Sequence, residues 1–261
     1  FAGQTTRHYP SEQGNSRPYS GSGYSFGGFH GDGGPVSEAA LYHPEHLAFD
    51  SKGNLYICDN GNHRVRVVDQ SSGIITTVFG DGQSASSGDG GPATDASTLS
   101  PDAIFLDHQD NLYVGEAWGS RVRKVDSSTG IVTTLTGTGV PGWGEEGGPG
   151  PETCCGPIES GIWVDEDGTV IFSDATGRLR SIDGATGIIT TIAGGTSIHD
   201  GGPADRAYLG CPRAVAVGPD GHIYFCDMVH DGIRAIDPAT GIIRTIAGDG
   251  GRGYGGDGGP A

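Results

Sequence analysis

One five-residue motif recurs along the chain at nearly constant spacing. The string Gly-Asp-Gly-Gly-Pro occupies residues 31–35, 88–92 and 256–260, and shortened copies occur at 147–149 and 200–203. The prolines of successive motifs are separated by 57, 57, 54 and 57 residues. A period of this length indicates a repeat architecture, in which each copy is one supersecondary unit that packs against its neighbours.

Each period contains four short apolar runs in a fixed order. In the first complete period they are 47–50, 54–58, 64–69 and 74–78, and equivalent runs follow in the next three periods. Gly, Asp and Thr-Gly or Ser-Gly pairs separate the runs, as they do at turns between strands. The first two runs are apolar on consecutive positions, which predicts strands covered on both faces. The third and fourth runs mix Arg, Lys and Thr with aliphatic residues, which predicts strands nearer the solvent-exposed rim.

Four strands per repeat is the unit of a β-propeller. We therefore predict an all-β fold, a β-propeller of four-stranded blades with four complete blades in this chain and partial blades at both ends. On this interpretation the ring has five or six blades when completed. The expected segments are the end of an outer strand (1–3), a Gly/Ser/Tyr-rich insertion loop (4–30), blade 1 (31–87), blade 2 (88–146), blade 3 (147–199), blade 4 (200–255) and the start of a further repeat (256–261).

The repeat resembles the NHL repeat. The resemblance rests on the glycine-rich motif, an apolar run that ends in Asp, the string Gly-Asn-Leu-Tyr and the string Asn-His-Arg-Val-Arg-Val-Val-Asp, with residues 59–66 the best-matching part. It extends over residues 31–261 and implies a propeller, commonly of six blades. It implies no particular function, because propellers host unrelated activities.

The charge of the chain restricts its partners. Asp and Glu number 32 against 15 Lys and Arg, which gives a formal net charge of −17. Such a field repels nucleic acid, and no apolar run approaches the ~20 residues of a membrane-spanning helix, so we expect neither nucleic-acid binding nor membrane insertion. The acidic, Lys-poor and Gly-rich composition favours an extracellular or cell-surface location. The expected partners are proteins or glycans, and self-assembly is a further expectation.

Three carboxylates end the predicted innermost strands. Asp50, Asp107 and Asp165 occupy equivalent positions, whereas the fourth repeat has Gly218 there. The sequence leaves two interpretations open: the three side chains cap turns, or they ring the channel mouth and bind Ca²⁺ with backbone carbonyls. No cofactor is required by the sequence.

An aromatic arm and the cysteines supply further candidates. The insertion loop carries five aromatic residues, and the sequence leaves two interpretations open: a flexible surface loop, or a recognition arm whose aromatic side chains act as binding anchors. They are Tyr9, Tyr19, Tyr24, Phe26 and Phe29. Five cysteines occur without a CxxC pair, and we expect a disulfide bond between Cys211 and Cys226, within one blade.

The remaining polar residues bear on whether the chain has a structural or a catalytic role. Acids that recur after every second run indicate a structural role, because catalysis needs one asymmetric constellation; they are Asp59, Glu116, Asp174 and Asp227. The fold resembles that of the peptide-amidating lyase, whose zinc is held by histidines, and this resemblance makes His46 and His108 candidate ligands.

We therefore expect a non-catalytic extracellular NHL-type propeller that acts as a protein- or glycan-binding or structural assembly module, with no catalytic residue. The alternative is a metal-dependent lyase or hydrolase, using Zn or Ca, with its site at the mouth of the central channel.

Overall fold

Four antiparallel sheets follow one another along the chain. The computed structural model describes residues 28–144, 146–196 and 200–253. Within these residues the chain is built from strands and short 3₁₀ turns, and the predicted all-β architecture of four-stranded blades is confirmed. No helix in this part of the chain is long and apolar enough to cross a membrane.

Several expectations fall outside the described residues. These are the segments 1–3 and 256–261, residues 4–27 of the insertion loop, and the side chains of Tyr9, Tyr19, Tyr24 and Phe26. Phe29 is the one member of the expected aromatic arm that the structure describes.

The strands of each blade are neighbours in the sheet in the order in which they occur in the chain, from the inner to the outer edge. Blade 1 comprises β2 (Pro44–Phe49), β3 (Leu55–Asp59), β4 (Arg64–Val68) and β5 (Ile74–Phe79), with β1 (Gly34–Pro35) added outside β5. Blade 2 comprises β6 (Pro101–Leu106), β7 (Leu112–Glu116), β8 (Arg121–Val125) and β9 (Val132–Thr136).

The third and fourth blades repeat this arrangement. Blade 3 comprises β10 (Ile162–Val164), β11 (Val170–Asp174), β12 (Arg178–Ile182) and β13 (Ile189–Ala193). Blade 4 comprises β14 (Pro212–Val217), β15 (Ile223–Asp227), β16 (Gly232–Ile236) and β17 (Ile243–Ala247). The 3₁₀ turns are Val36–Glu38, Asn60–Asn62, Ala93–Asp95, Gly150–Glu152 and Ala204–Arg206.

The glycine-rich motif lies at the outer edge of the blade that it precedes. Pro35 pairs with Ile74 at the start of the fourth strand of blade 1. The same antiparallel bridge recurs in the other blades as Pro92 with Ile131, Pro149 with Ile188, and Pro203 with Ile242. The motif therefore closes the outer edge of each sheet before the chain returns to the inner strand, and a proline at an edge costs no ladder hydrogen bond.

Apolar cores lie between successive blades, as the doubly covered strands predicted. One cluster joins Cys58, Val65 and Phe79 of blade 1 to Ile104 and Val114 of blade 2. Equivalent clusters join blade 2 to blade 3 and blade 3 to blade 4. Burial of these side chains at about 25 cal/mol per Å² is the main force that holds the blades face to face.

In each blade, a buried arginine on the third strand binds neighbouring segments of the chain. Its Nη1 donates to a backbone carbonyl, and in blades 1, 2 and 4 its Nη2 donates to the acid of the glycine-rich motif at 2.7–2.8 Å. The arginines are Arg66, Arg123, Arg180 and Arg234, all at most 5% exposed. The third strands lie towards the rim, as expected, but these arginines on them are buried, because burial is permitted when the guanidinium finds carboxylate and carbonyl partners.

The fourth strand of each blade ends in a glycine that approaches the neighbouring backbone closely. Gly137 has φ +98°, and a Cβ built there would lie 2.0 Å from the carbonyl oxygen of Ser120. Only glycine tolerates both this backbone region and this approach. The same position is glycine in the other blades, at Gly80, Gly194 and Gly248.

Candidate interaction face

The connections between strands lie at two opposite ends of the blades. In an antiparallel sheet successive hairpins alternate between the two ends. The turns from first to second strand and from third to fourth strand form one end, which we call the turn face. The loops from second to third strand, and the segments that lead into each inner strand, form the other end, which we call the loop face.

On the turn face, the three candidate channel-mouth carboxylates cap turns. Asp50 accepts hydrogen bonds from the amides of Lys52 (2.9 Å) and Asn54 (2.8 Å). Asp107 and Asp165 make the equivalent contacts in blades 2 and 3. The sequence left two interpretations open, and these hydrogen bonds are those of turn capping. Among the described residues, no group of three or more His, Cys, Asp or Glu side chains is arranged to hold a metal ion.

Grooves between blades open on the same face. Asp107 and Asp165 line one groove of about 390 Å³ together with Tyr113, whereas Asp50 lines the next groove, of about 590 Å³. Burial and the neighbouring carboxylate of Asp107 raise the pKa of Tyr113. The structure thus brings two of the three carboxylates to one groove and places the third in another.

The acids that follow the second strands have the structural role expected of them. Asp59 accepts the amide of Tyr42 (2.7 Å), and Asp227 accepts the amide of Gly210 (3.0 Å). Asp174 is bound by the amide of Thr176 (2.9 Å), while Glu116 accepts the hydroxyl of Ser86. These acids fix the segments that form the loop face.

The cysteines and histidines do not form the sites that were expected of them. All five cysteines are free thiols, so the bond between Cys211 and Cys226 is not formed. The bond is absent because of the strand register. Cys226 lies opposite Arg213, whereas the carbonyl of Cys211 accepts a hydrogen bond from the amide of Met228, two residues after Cys226.

The two candidate zinc ligands lie on different parts of the molecule. His46 is in the first half of β2, near the loop face, and burial lowers its pKa. His108 is exposed in a turn of the turn face. The described residues therefore do not bring this pair together around one metal ion.

Large apolar side chains are exposed on the loop face. Trp118 lies in the loop between β7 and β8 and is 76% exposed, and Trp143 lies in the segment that leads to blade 3 and is 68% exposed. The set is completed by Val140, Tyr208, Met228 and Val229, each at least 53% exposed. We call these six residues the loop-face apolar set. Large apolar groups concentrated at one end of a protein are typical of an interaction surface.

Part of this set is held in place by a histidine that contacts a buried carboxylate. In blade 4 the ring of Tyr208 packs edge-on against the ring of His230, with centroids 5.5 Å apart. His230 Nδ1 lies 2.8 Å from Oδ2 of Asp227, a carboxylate with no solvent exposure. The loop that carries Met228 and Val229 is thereby fixed before any partner binds, which lowers the entropic cost of binding.

Cation–π contacts with the arginines that begin two third strands orient two aromatic side chains. The guanidinium of Arg178 lies 4.4 Å from the ring centroid of Trp143, and that of Arg64 lies 3.8 Å from the ring of Phe29. Because such stacking fixes ring orientation, both rings present a defined apolar surface. Phe29 is thus the described residue of the expected aromatic arm, and it lies against blade 1.

The centre of the loop face is acidic. Glu45, Asp102, Glu159 and Arg213 come from the loop-face ends of the four inner strands, and Arg213 forms an ion pair with Glu159. Burial raises the pKa of Asp102, and the charges of Glu45 and Glu159 raise it further. Three carboxylates face one guanidinium, so this centre complements a cationic group better than an anionic one.

Sequence reasoning missed both the apolar set and the acidic centre. Trp118 lies between Ala117 and Gly119 in a segment that the repeat pattern treats as a turn, and Met228 and Val229 begin the corresponding segment of blade 4. The signal was available as large apolar residues outside the strands. The acidic centre was hidden because its residues differ from blade to blade.

Four-stranded blades that pack face to face, with their inner strands side by side, define a β-propeller. Two comparisons with known proteins indicate which type of propeller repeat the chain contains. The NHL repeat family model matches residues 41–68. The chain is also 31% identical over 109 residues to NHL repeat-containing protein 2 of Gallus gallus, which covers 41% of the chain and 14% of that protein. The chain therefore carries a repeat of NHL type and is similar to NHL-repeat proteins.

Other similar proteins extend over more of the chain. Protein SUPPRESSOR OF QUENCHING 1, chloroplastic, of Arabidopsis thaliana is 28% identical over 235 residues, which is 85% of this chain and 22% of that protein. The chain therefore spans less than a quarter of the length of these curated relatives.

Two solved structures share the fold at low sequence identity. A streptogramin B lyase aligns with a TM-score of 0.54 and 14% identity, covering 79% of this chain and 55% of the lyase. A chain of a nidogen/laminin complex aligns with a TM-score of 0.54 and 16% identity, covering 78% of this chain and 62% of that chain. An enzyme and a protein complex share this fold, so the fold itself does not select between function classes.

Proposed function

We propose that the chain is a non-catalytic NHL-type binding module that engages a protein partner through its loop face. One observation carries the proposal: the loop-face apolar set exposes two tryptophans, a tyrosine and three aliphatic side chains at one end of the propeller. Tryptophan and tyrosine are the residues most enriched at the energetic centres of interfaces.

The chemistry of the partner follows from the surroundings of this set. The acidic centre formed by Glu45, Asp102 and Glu159 lies on the same face and has Arg213 as its basic member. A partner segment that combines aromatic or aliphatic residues with Lys or Arg matches both features. The contact between Asp227 and His230 in the blade 4 loop supports binding by a preformed surface.

Other expectations stay predictions. They are the extracellular location, a glycan as partner, and a role for Ca²⁺. The proposal for the loop face does not depend on any of them, because it rests on exposed apolar area and charge.

The proposal is tested with a defined probe. Peptides selected from a displayed random library on the whole chain should be rich in aromatic residues and Lys or Arg, and their affinity is measured by calorimetry. Trp118→Ala and Val229→Ser should each weaken binding about tenfold or more, which corresponds to about 1.4 kcal/mol. His108→Ala, an exposed change on the turn face, is the matched control and should leave the affinity unchanged.

Two outcomes contradict the proposal. One is a selected peptide set that binds both loop-face variants as tightly as the unchanged chain. The other is loss of binding in His108→Ala alone, which would assign the binding surface to the turn face.

A further inference from the structure

Two grooves on the turn face occupy equivalent places in the repeat. The first groove, between blades 1 and 2, is lined by Tyr56 and has a volume of about 590 Å³. The second groove, between blades 2 and 3, is lined by Tyr113 and has a volume of about 390 Å³. Each tyrosine is the second residue of the second strand of its blade. The two grooves therefore have one wall in common, and their differences show what each can bind.

The second groove contains an ammonium group of the chain itself. Lys124 lies opposite Tyr113 on the adjacent strand, and its Nζ is 5.3 Å from the centroid of the tyrosine ring. This distance is within the ~6 Å over which the face of a ring attracts a cation. Five acids line the same groove, and they are Asp107, Asp165, Glu166, Asp167 and Asp183. Both the ring and the carboxylates thus favour a positive charge at this place.

The first groove has the tyrosine without the lysine. Tyr56 lies opposite Val67, just as Tyr113 lies opposite Lys124. In the part of the chain that the structure describes, no Lys or Arg lies over the Tyr56 ring. The first groove therefore offers the face of its tyrosine to a cation from outside the chain.

The rim of the first groove is acidic and is held in position. Its acids are Asp50, Asp110 and Asp126, and its basic residue is Lys52. Asp110 accepts hydrogen bonds from the amide (2.8 Å) and the hydroxyl (2.7 Å) of Ser51, which links the turns of blades 1 and 2. Burial raises the pKa of Tyr56, and the charges of Asp50 and Asp110 raise it further, so both carboxylates act on the tyrosine of this groove.

We propose that the first groove binds an ammonium group on an alkyl chain, either the side chain of a lysine in another protein or a free diamine. The ammonium lies over the ring of Tyr56, as that of Lys124 lies over Tyr113, and faces the acidic rim. Apolar residues of the groove pack against the alkyl chain, and they are Val78, Leu112 and Val125. A charged head on an apolar stem needs this combination of surfaces. The groove is on the turn face, so this proposal is independent of the one for the loop face.

Nitrogen-15 NMR of the whole chain tests the site with a defined probe. The methylamide of N-acetyl-lysine should shift the resonances around Tyr56 in a saturable way, with a dissociation constant of about 1 mM, as expected from one cation–π contact and exposed ionic contacts. The methylamide of N-acetyl-norleucine has the same alkyl chain without the ammonium group. It should bind about tenfold more weakly or not at all.

Exchanging residues between the two grooves makes the test specific. Val67→Lys places an ammonium of the chain over Tyr56 and should weaken binding of the lysine probe about tenfold. Lys124→Val should open the second groove, so that two probe molecules bind per chain instead of one. Each change copies a residue that the adjacent blade carries, so folding should be retained, which circular dichroism and thermal melting verify. Trp118→Ser, on the loop face, is the matched control and should leave the affinity unchanged.

Two further probes distinguish the sources of the ammonium group. Tighter binding of the peptide acetyl-Gly-Lys-Gly-amide than of 1,5-diaminopentane assigns the groove to a lysine of another protein, and the reverse order assigns it to a free diamine. Equal binding of the lysine and norleucine probes overturns the proposal, since the ammonium would then contribute nothing. The absence of a saturable shift around Tyr56 overturns it as well, as does full affinity in Val67→Lys.

Discussion

Blades 2 and 3 carry the same buried arginine but satisfy it differently. Arg123 of blade 2 contacts Asp89 at 2.7 Å and the buried Glu116 at 3.5 Å. Arg180 of blade 3 lies 3.6 Å from the half-exposed Glu146, and among the described residues its Nη2 makes no hydrogen bond. The two blades have one backbone plan, but they differ in two acids near the arginine: the acid of the glycine-rich motif, and the acid that ends the second strand, Glu116 in blade 2 and Asp174 in blade 3.

The acids of the glycine-rich motif in blades 2 and 3 differ in length by one methylene group. Blades 1, 2 and 4 have Asp at this position of the motif, and blade 3 has Glu146. The longer side chain still accepts the amide of Thr191 (2.7 Å), as the aspartates of blades 1 and 4 accept equivalent amides. It bonds the Thr191 hydroxyl as well and does not reach the arginine closely. A blade can therefore keep the hydrogen bond between the motif acid and the fourth strand while losing most of the ion pair between that acid and the buried arginine.

The largest predicted effect is the difference in the free energy of unfolding between Arg123→Ala and Arg180→Ala. Arg123→Ala leaves Asp89 and the fully buried Glu116 without their cation, so the free energy of unfolding should fall by about 3–5 kcal/mol. Arg180→Ala should cost about 2 kcal/mol, mainly the charged hydrogen bond to the carbonyl of Cys154. Denaturant unfolding of both variants measures the difference.

A control separates charge from volume in this comparison. Both alanine variants leave a cavity of the same side chain, so cavity cost cancels between them. Arg123→Lys keeps the charge without the planar fork and should lie between the unchanged chain and Arg123→Ala. Equal losses in Arg123→Ala and Arg180→Ala would show that packing, and not ion pairing, dominates at these positions.

A smaller effect is expected from exchanging the motif acids. Glu146→Asp should bring the carboxylate of blade 3 to the distance seen in the other blades and raise the free energy of unfolding by about 0.5–1.5 kcal/mol. Asp89→Glu should lower it by a similar amount in blade 2. Urea unfolding measures both, and a loss of stability in Glu146→Asp would mean that the backbone of blade 3 differs from its neighbours at the motif.

The comparison also separates what the sequence could predict from what it could not. The spacing of the motif prolines and the doubly apolar second runs predicted blades, and the described strands confirm them. The role of the recurring acids, such as Asp59, was predicted because a side chain repeated in every blade has to serve the blade. These inferences succeed because period and burial pattern are local properties of the sequence.

Features that depend on contacts between distant residues were not predictable in this way. A third-strand arginine such as Arg123 looks like a rim residue until the motif acid, 34 residues earlier, is placed beside it. The acidic centre around Asp102 takes one residue from each blade, and the residue type after the second proline of the repeat changes from Glu45 to Asp102 to Arg213. The exposure of Trp118 depends on how the loop is directed at the end of its sheet, which neither period nor composition encodes.

The smallest predicted effect concerns the turns between third and fourth strands. In blade 2, Asp126 accepts the hydroxyls of Ser128 (2.7 Å) and Thr129 (2.8 Å), which lower its pKa to about 2. In blade 3, Asp183 accepts the hydroxyl of Thr186, and Ala185 stands where blade 2 has Ser128. Ser128→Ala should therefore raise the pKa of Asp126, and carbon-13 NMR titration of its carboxyl group measures this change.

The sign of the effect on stability follows from the lowered pKa. A carboxyl whose pKa is lower in the folded chain stabilises the fold above its unfolded value, about 3.9, and loses that contribution as the pH falls towards its folded value. The difference in stability between Ser128→Ala and the unchanged chain should thus be present at neutral pH and vanish in strong acid. Ala185→Ser should lower the pKa of Asp183 in return. If Asp126 titrates identically with and without Ser128, the Thr129 hydroxyl and the backbone amides of the turn, and not the Ser128 hydroxyl, set its pKa.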